Sequence, residues 1–223
     1  MSFVLLQADT SMVADGPTYM SWLELMVKGG ILMIPLAILL ITAIYIFIER
    51  YLTINKASKM DPNFMNSIRD HVVSGNVAAA KDLCRNTDAP IAKLIEKGVH
   101  RLGRPLKNID VAIENAGKLQ IFKLERSLAT LATISGAAPM IGFLGTVLGM
   151  IGAFYNLSQA GGEGNADLLA NDIYKALVTT AAGLGIGILA LIAYNLLVSM
   201  VEKVVHKMEA TTVEFIDMLQ EPA

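Results

Sequence analysis

Ala138-Pro139-Met140-Ile141-Gly142-Phe143-Leu144-Gly145-Thr146-Val147-Leu148-Gly149-Met150-Ile151-Gly152-Ala153-Phe154 contains no ionisable residue, yet four glycines and a threonine occupy its middle. Dissolving in lipid requires only apolar bulk, so glycine at this density needs another reason. Gly145 and Gly149 form a small-xxx-small pair which, with Gly142 and Gly152, makes a helix surface that a second backbone can approach closely. Thr146 sits beside that seam. A membrane threonine commonly returns its hydroxyl to a carbonyl one turn earlier, so a role beyond packing needs support from elsewhere in the chain.

The rest of the sequence supplies the setting. Of 223 residues 54% are hydrophobic and the mean hydropathy is +0.52, too apolar for a soluble domain of this length. The excess lies in three long uncharged runs, which predicts an all-α membrane protein with three transmembrane helices and long cytoplasmic helical extensions. Span 1 covers 29–48, span 2 covers 129–157 and span 3 covers 173–200. The net charge of −2 hides an asymmetry, because 16 of the 18 Lys and Arg lie between Arg50 and Arg126 or at Lys203 and Lys207. Positive residues stay cytoplasmic, so the N-terminus is expected outside and the C-terminus inside.

Residues 1–28 read as an outer extension, with Tyr19, Met20, Trp22, Leu23 and Met26 at the spacing of an amphipathic interfacial helix anchored by Trp22. The segment lacks the basic start of a secretory signal, though it could be the remnant of a processed leader. The polar content of span 1 is only Thr42 and Tyr45, so it is expected to face lipid. Residues 49–128 read as a cytoplasmic helical segment leading into span 2. Its markers are Asp61-Pro62 as a helix start, Ser74-Gly75-Asn76 as a turn, and Gly103-Arg104-Pro105 as a break. Beyond the break, Asn108 or Asp110 can cap a helix that meets no breaker until Pro139. The outer loop, 158–172, is acidic and glycine-rich. Span 3 carries Lys175 at its outer end, Thr179-Thr180 one turn in, and the pair Gly183 and Gly187 after that. Two glycine-faced helices joined by one loop should pack on each other or on copies of themselves, which predicts a homo-oligomer. Residues 201–223 read as a cytoplasmic C-terminal helix with Val201, Val204, Val205, Met208, Thr212, Phe215 and Leu219 on one side.

Chemistry enters through an absence. The spans carry no Asp, Glu or His, and no Lys or Arg other than Lys175, so the chain alone has no group to hold a proton part-way across. A conducting chain would need a carboxylate from a partner helix, beside the hydroxyls of Thr146 and Thr179 or Thr180. In such a low-dielectric seam that carboxylate would have a raised pKa. No nucleophile motif, phosphate loop, metal-ligand spacing or cofactor signature occurs, so no catalytic or metal-binding residue is assigned, and neither a cofactor nor nucleic acid is expected. Cys84 is a lone cytoplasmic thiol.

Leu124-Glu125-Arg126 followed by Ala138-Pro139, Gly142-Phe143-Leu144-Gly145-Thr146-Val147, Gly149-Met150-Ile151 and Phe154, and then Ala176-Leu177, Thr179-Thr180-Ala181-Ala182-Gly183-Leu184 and Tyr194-Asn195, resembles the MotA/TolQ/ExbB proton channel family, and most of all its ExbB branch. The resemblance implies a pentamer in the bacterial inner membrane, in contact with lipid, whose spans 2 and 3 line a pore. That pore would hold an ExbD-like single-span partner carrying a membrane aspartate, and a TonB-like transducer would pass the motion to outer-membrane transport. It also implies that Thr146 and Thr180 face that aspartate. Thr179 is explained equally well by a bond back to a carbonyl. Gly142, Gly145, Gly149, Gly183 and Gly187 would pack the pore wall. Two departures stand out: Lys175 replaces the usual glutamate at the pore mouth, and Leu189 stands where a proline is frequent. Lys175 is expected to snorkel to the headgroups or to pair with Asp172 or an acidic partner residue. A TolQ-like subunit of the Tol-Pal envelope system and a non-conducting membrane scaffold are the alternative readings.

Overall fold

A computed structural model describes residues 29–159 and 166–220, which form seven α-helices and no strand. The interfacial helix around Trp22 and the glycine loop at 161–165 lie outside the described residues. In chain order the helices are α1 (Met33–Ser58), α2 (Phe64–Val73), α3 (Val77–Asn86), α4 (Pro90–Val99), α5 (Leu106–Glu125), α6 (Leu128–Gln159) and α7 (Ala166–Gln220). Three stretches are long and apolar enough to cross a membrane: α1, the α5–α6 run and α7. Much of their surface is apolar side chain facing outward, as in Ile34, Ile38 and Ile41 on α1 or Phe143, Val147 and Phe154 on α6. Water would not tolerate so much exposed apolar area, so this is a multi-pass membrane protein.

The helices end where local chemistry makes them end. Asp61 accepts the backbone N–H of Asn63 at 2.9 Å and starts α2, and Gly75, at φ 74°, turns the chain into α3. The side chain of Asn76 then caps α3 by accepting the N–H of Ala79 at 3.2 Å. Phe64, Ile68, Ala80, Cys84, Ile95 and Val99 are buried in one core, in which α2 packs on α3, α3 on α4, and α4 on α5 and the distal part of α7, where Phe215 is wholly enclosed. Lys56, in the last turn of α1, reaches Asp88 at 2.7 Å, and Lys93 meets the same carboxylate at 3.2 Å. These two lysines hold the Asp88 carboxyl below the ordinary carboxylate range.

Cys84 is buried under this bundle, and desolvation, with the Glu96 charge nearby, pushes its thiol up to about 12. A thiol that stays protonated is a poor nucleophile. Native protein at pH 8 is therefore expected to react with iodoacetamide at least tenfold more slowly than the denatured chain, read as alkylated mass against time; equal rates would show that Cys84 is accessible.

Four features differ from the sequence reading. Span 3 and the C-terminal segment are one unbroken 55-residue helix, on the order of 80 Å long at 1.5 Å per residue. The helix leading into span 2 starts at Leu106, with Pro105 rather than Asn108 or Asp110 at its cap position. It is also not continuous up to Pro139. It stops at Glu125, Ser127 takes φ 66°, and a new helix begins at Leu128 and runs straight through Pro139. Span 1, expected to face lipid, does so on one side only, because Met33, Leu36, Ala43 and Ile46 are buried.

Candidate functional site

The glycines of α6 and α7 meet each other within one chain. These two helices run antiparallel and make the most extensive contact in the molecule. A Cβ built on Gly142 would lie 3.2 Å from Gly183 Cα, from Thr179 O and from Thr180 Cα, so two backbones touch at this point. Further along the seam, a Cβ on Gly145 would press on Thr179 Cγ2 at 2.7 Å, and one on Gly149 on Ala176 Cβ at 2.6 Å. One turn beyond Gly183 on α7, Gly187 makes room for the ring of Pro139 and for the carbonyl of Ser135, the helical acceptor that the proline nitrogen cannot satisfy. Gly152, grouped with this set in sequence, faces open space. The seam is therefore five glycines, and each admits a particular neighbour.

This close approach brings the threonines together. Thr180 sits opposite Gly142 and its hydroxyl donates across the seam to the Gly142 carbonyl at 2.8 Å. That carbonyl is one helical turn before Thr146, whose own hydroxyl donates to Phe143 O at 2.7 Å. Both threonines remain partly exposed. A hydroxyl carries one proton and two lone pairs, and here each proton is directed at the backbone. What Thr146 and Thr180 offer a third group is acceptor oxygen.

Thr179 has a different environment. It is 2% exposed, and its single hydroxyl proton is shared between Lys175 O at 2.9 Å and Gly29 O at 2.8 Å. It thus ties the entry to α1 onto α7, with Gly145 making room for its methyl group. Thr179→Val keeps the shape and removes the only donor, leaving the Gly29 carbonyl without this partner. The expected cost is about 1–2 kcal/mol, visible as a lowered melting temperature, whereas Thr179→Ser should recover most of it.

One turn before Thr179, Lys175 Nζ lies 3.7 Å from Asp172 Oδ1, and Asn156 donates to Asp172 Oδ2 at 3.2 Å. The lysine thus has an acidic neighbour on its own helix, and Asp172 links α6 to α7 beside the loop. Leu189 is exposed on an unbroken helix. No sequence signal pointed to Arg50, which is only 6% exposed on α1. It pairs with Glu49 and donates to the Lys123 carbonyl of α5 at 3.1 Å.

Comparison with known proteins places this seam in a family. Residues 86–210, which hold α6 and most of α7, match the model of the MotA/TolQ/ExbB proton channel family. The chain is 29% identical over 180 residues to the biopolymer transport protein ExbB-like 1 of Synechocystis, covering 80% of this chain and 71% of that protein. To the biopolymer transport protein ExbB of Neisseria gonorrhoeae it is 30% identical over 162 residues, covering 66% of this chain and 72% of the other. An ExbB homolog of Methanothermobacter thermautotrophicus is 25% identical over 188 residues, covering 84% of this chain and 66% of that protein. With its three apolar spans and its glycine seam inside the matched region, the chain belongs to the MotA/TolQ/ExbB proton channel family and is ExbB-like.

Proposed function

We propose that this chain is the channel and stator subunit of an ExbB-type motor in the bacterial inner membrane, with its N-terminus periplasmic and its C-terminus cytoplasmic. Copies of it, five by family resemblance, surround an ExbD-like single-span partner whose membrane aspartate carries the proton, and a TonB-like transducer takes the resulting motion to outer-membrane transport. The observation that carries the reading is the bond from Thr180 to Gly142 O, which joins Thr180 and Thr146 in one seam within spans free of carboxylates.

The hydroxyl orientation suggests how the site would treat a carboxyl group. With their protons on backbone carbonyls, Thr146 and Thr180 can accept the O–H of a neutral carboxylic acid, so the resting seam favours the proton-loaded partner. Stabilising the ionised form requires a hydroxyl to leave its carbonyl and turn outward, giving up a bond worth about 0.5–1.5 kcal/mol. That cost is small enough for both states to be visited. Thr179, fully committed between Lys175 O and Gly29 O, supports the wall of this path. Each charge that crosses contributes about 2.3 kcal/mol per 100 mV, so mechanical work would take several protons per cycle.

The test is purification of the tagged chain from its native membrane in mild detergent, with mass spectrometry of what accompanies it. A single-span protein with an aspartate in its span is the expected companion. A stable oligomer of this chain alone would leave the seam without a proton carrier and favour a scaffold.

A further inference from the structure

The break between α5 and α6 has an unusual chemistry. In a continuous helix the N–H of Ser127 would bond to the carbonyl of Lys123, four residues earlier. Here Arg126 is extended at φ −49° and ψ 135°, and Ser127 takes φ 66°, a left-handed conformation uncommon for a residue with a side chain. No glycine or proline forces this turn. The Lys123 carbonyl, freed by it, accepts a hydrogen bond from Arg50 Nη1 at 3.1 Å. The guanidinium of another helix thus stands where the lost backbone donor would have been.

Arg50 is placed for this by its own surroundings. Its side chain is nearly buried, its charge is met by the adjacent Glu49 carboxylate, and its fork leaves one nitrogen for the carbonyl. The break falls where the charged stretch of the sequence gives way to span 2, Arg126 being the last charge before 36 residues that carry none. Below it lies the cytoplasmic bundle and above it the glycine seam.

We infer that Arg126-Ser127 is a joint between the cytoplasmic stalk and span 2, and that Arg50 is its latch. With the latch engaged, Lys123 is satisfied and Ser127 is turned out. With it released, Ser127 can return to the helical conformation, its N–H can bond to Lys123 O, and α5 and α6 become one rigid rod. The stalk can therefore change its setting against the membrane helix without disturbing the packing of Gly142 on Gly183. This holds whether or not the seam conducts protons.

Amide hydrogen exchange tests the joint in the full chain, reconstituted in lipid nanodiscs with whatever assembles on it. In the jointed state the amides of residues 127–130 have no carbonyl one turn back and exchange fast between protected helices. Ser127→Gly accepts φ 66° freely and should leave this peptide as fast as wild type. Ser127→Ala disfavours the turned-out state, and Arg50→Met removes the latch while keeping a long side chain. Each should slow exchange at 127–130 tenfold or more, with protection elsewhere unchanged. Wild-type exchange already as slow as the flanking helices would overturn the joint. Fast exchange persisting in Ser127→Ala, together with either fast exchange or loss of folding in Arg50→Met, would overturn the latch.

Discussion

Gly183→Val is expected to abolish the folded membrane core. A Cβ at this position would lie 2.6 Å from Ala138 O, 2.9 Å from Gly142 Cα and 3.1 Å from Gly142 N, all backbone atoms of a helix that cannot swing aside as a side chain does. Overpacking a tight interior costs about 1–3 kcal/mol even where side chains can adjust. Here the helices must part, and parting them also breaks the Thr180 to Gly142 bond. Gly183→Ala should already lower the melting temperature clearly, and Gly183→Val should yield no monodisperse protein in detergent. Gly185→Ala and Gly152→Ala serve as controls, because a Cβ at either meets nothing within 4 Å. If Gly185→Ala is as damaging as Gly183→Ala, the glycines act through some property other than the α6–α7 contact.

Thr180→Val should separate function from assembly. Valine fills the same volume, so the seam keeps its packing, but the cross-seam bond to Gly142 O at 2.8 Å and the oxygen facing a third group are both lost. The expected result is a correctly assembled protein, within a few degrees of the wild-type melting temperature, whose proton-coupled activity falls tenfold or more. Thr146→Val should behave alike, since its hydroxyl donates only to Phe143 O. Thr180→Ser, which restores the hydroxyl, should recover most of the activity. Thr179→Val should show the converse pattern, reduced stability with a smaller loss of rate per molecule folded, because its proton is held by Gly29 O and Lys175 O. Normal activity in well-folded Thr146→Val and Thr180→Val proteins would remove both from the proton path.

How far the sequence could be read follows from where each feature has its cause. Uncharged runs, glycine spacing and turn residues such as Gly75 and Gly103 act locally, and they led to the spans, the seam and the turns between the shorter helices. The partner of each glycine was not legible, because small-xxx-small spacing marks a surface that can be approached closely and does not name what approaches it. The break at Ser127 was missed for a related reason. Serine carries no strong turn signal after Leu124-Glu125-Arg126, and the stabilising donor comes from Arg50, 73 residues earlier in the chain. Thr179 and Thr180 are adjacent and chemically identical, yet the helix turn sends one hydroxyl to the entry of α1 and the other to α6. Only the packed arrangement tells them apart.

The central claim is that this chain supplies the wall and the hydroxyls of a proton path, and that the titratable group comes from a partner. It is tested most directly by proton flux into pH-sensitive-dye-loaded liposomes under an imposed potential. The chain is reconstituted alone, then with the single-span protein that copurifies with it, and then with that protein's membrane aspartate changed to asparagine. The expected result is no flux above empty liposomes for the chain alone, clear flux for the complex, and none for the asparagine variant. Flux through the chain alone, or undiminished flux with asparagine, would contradict it.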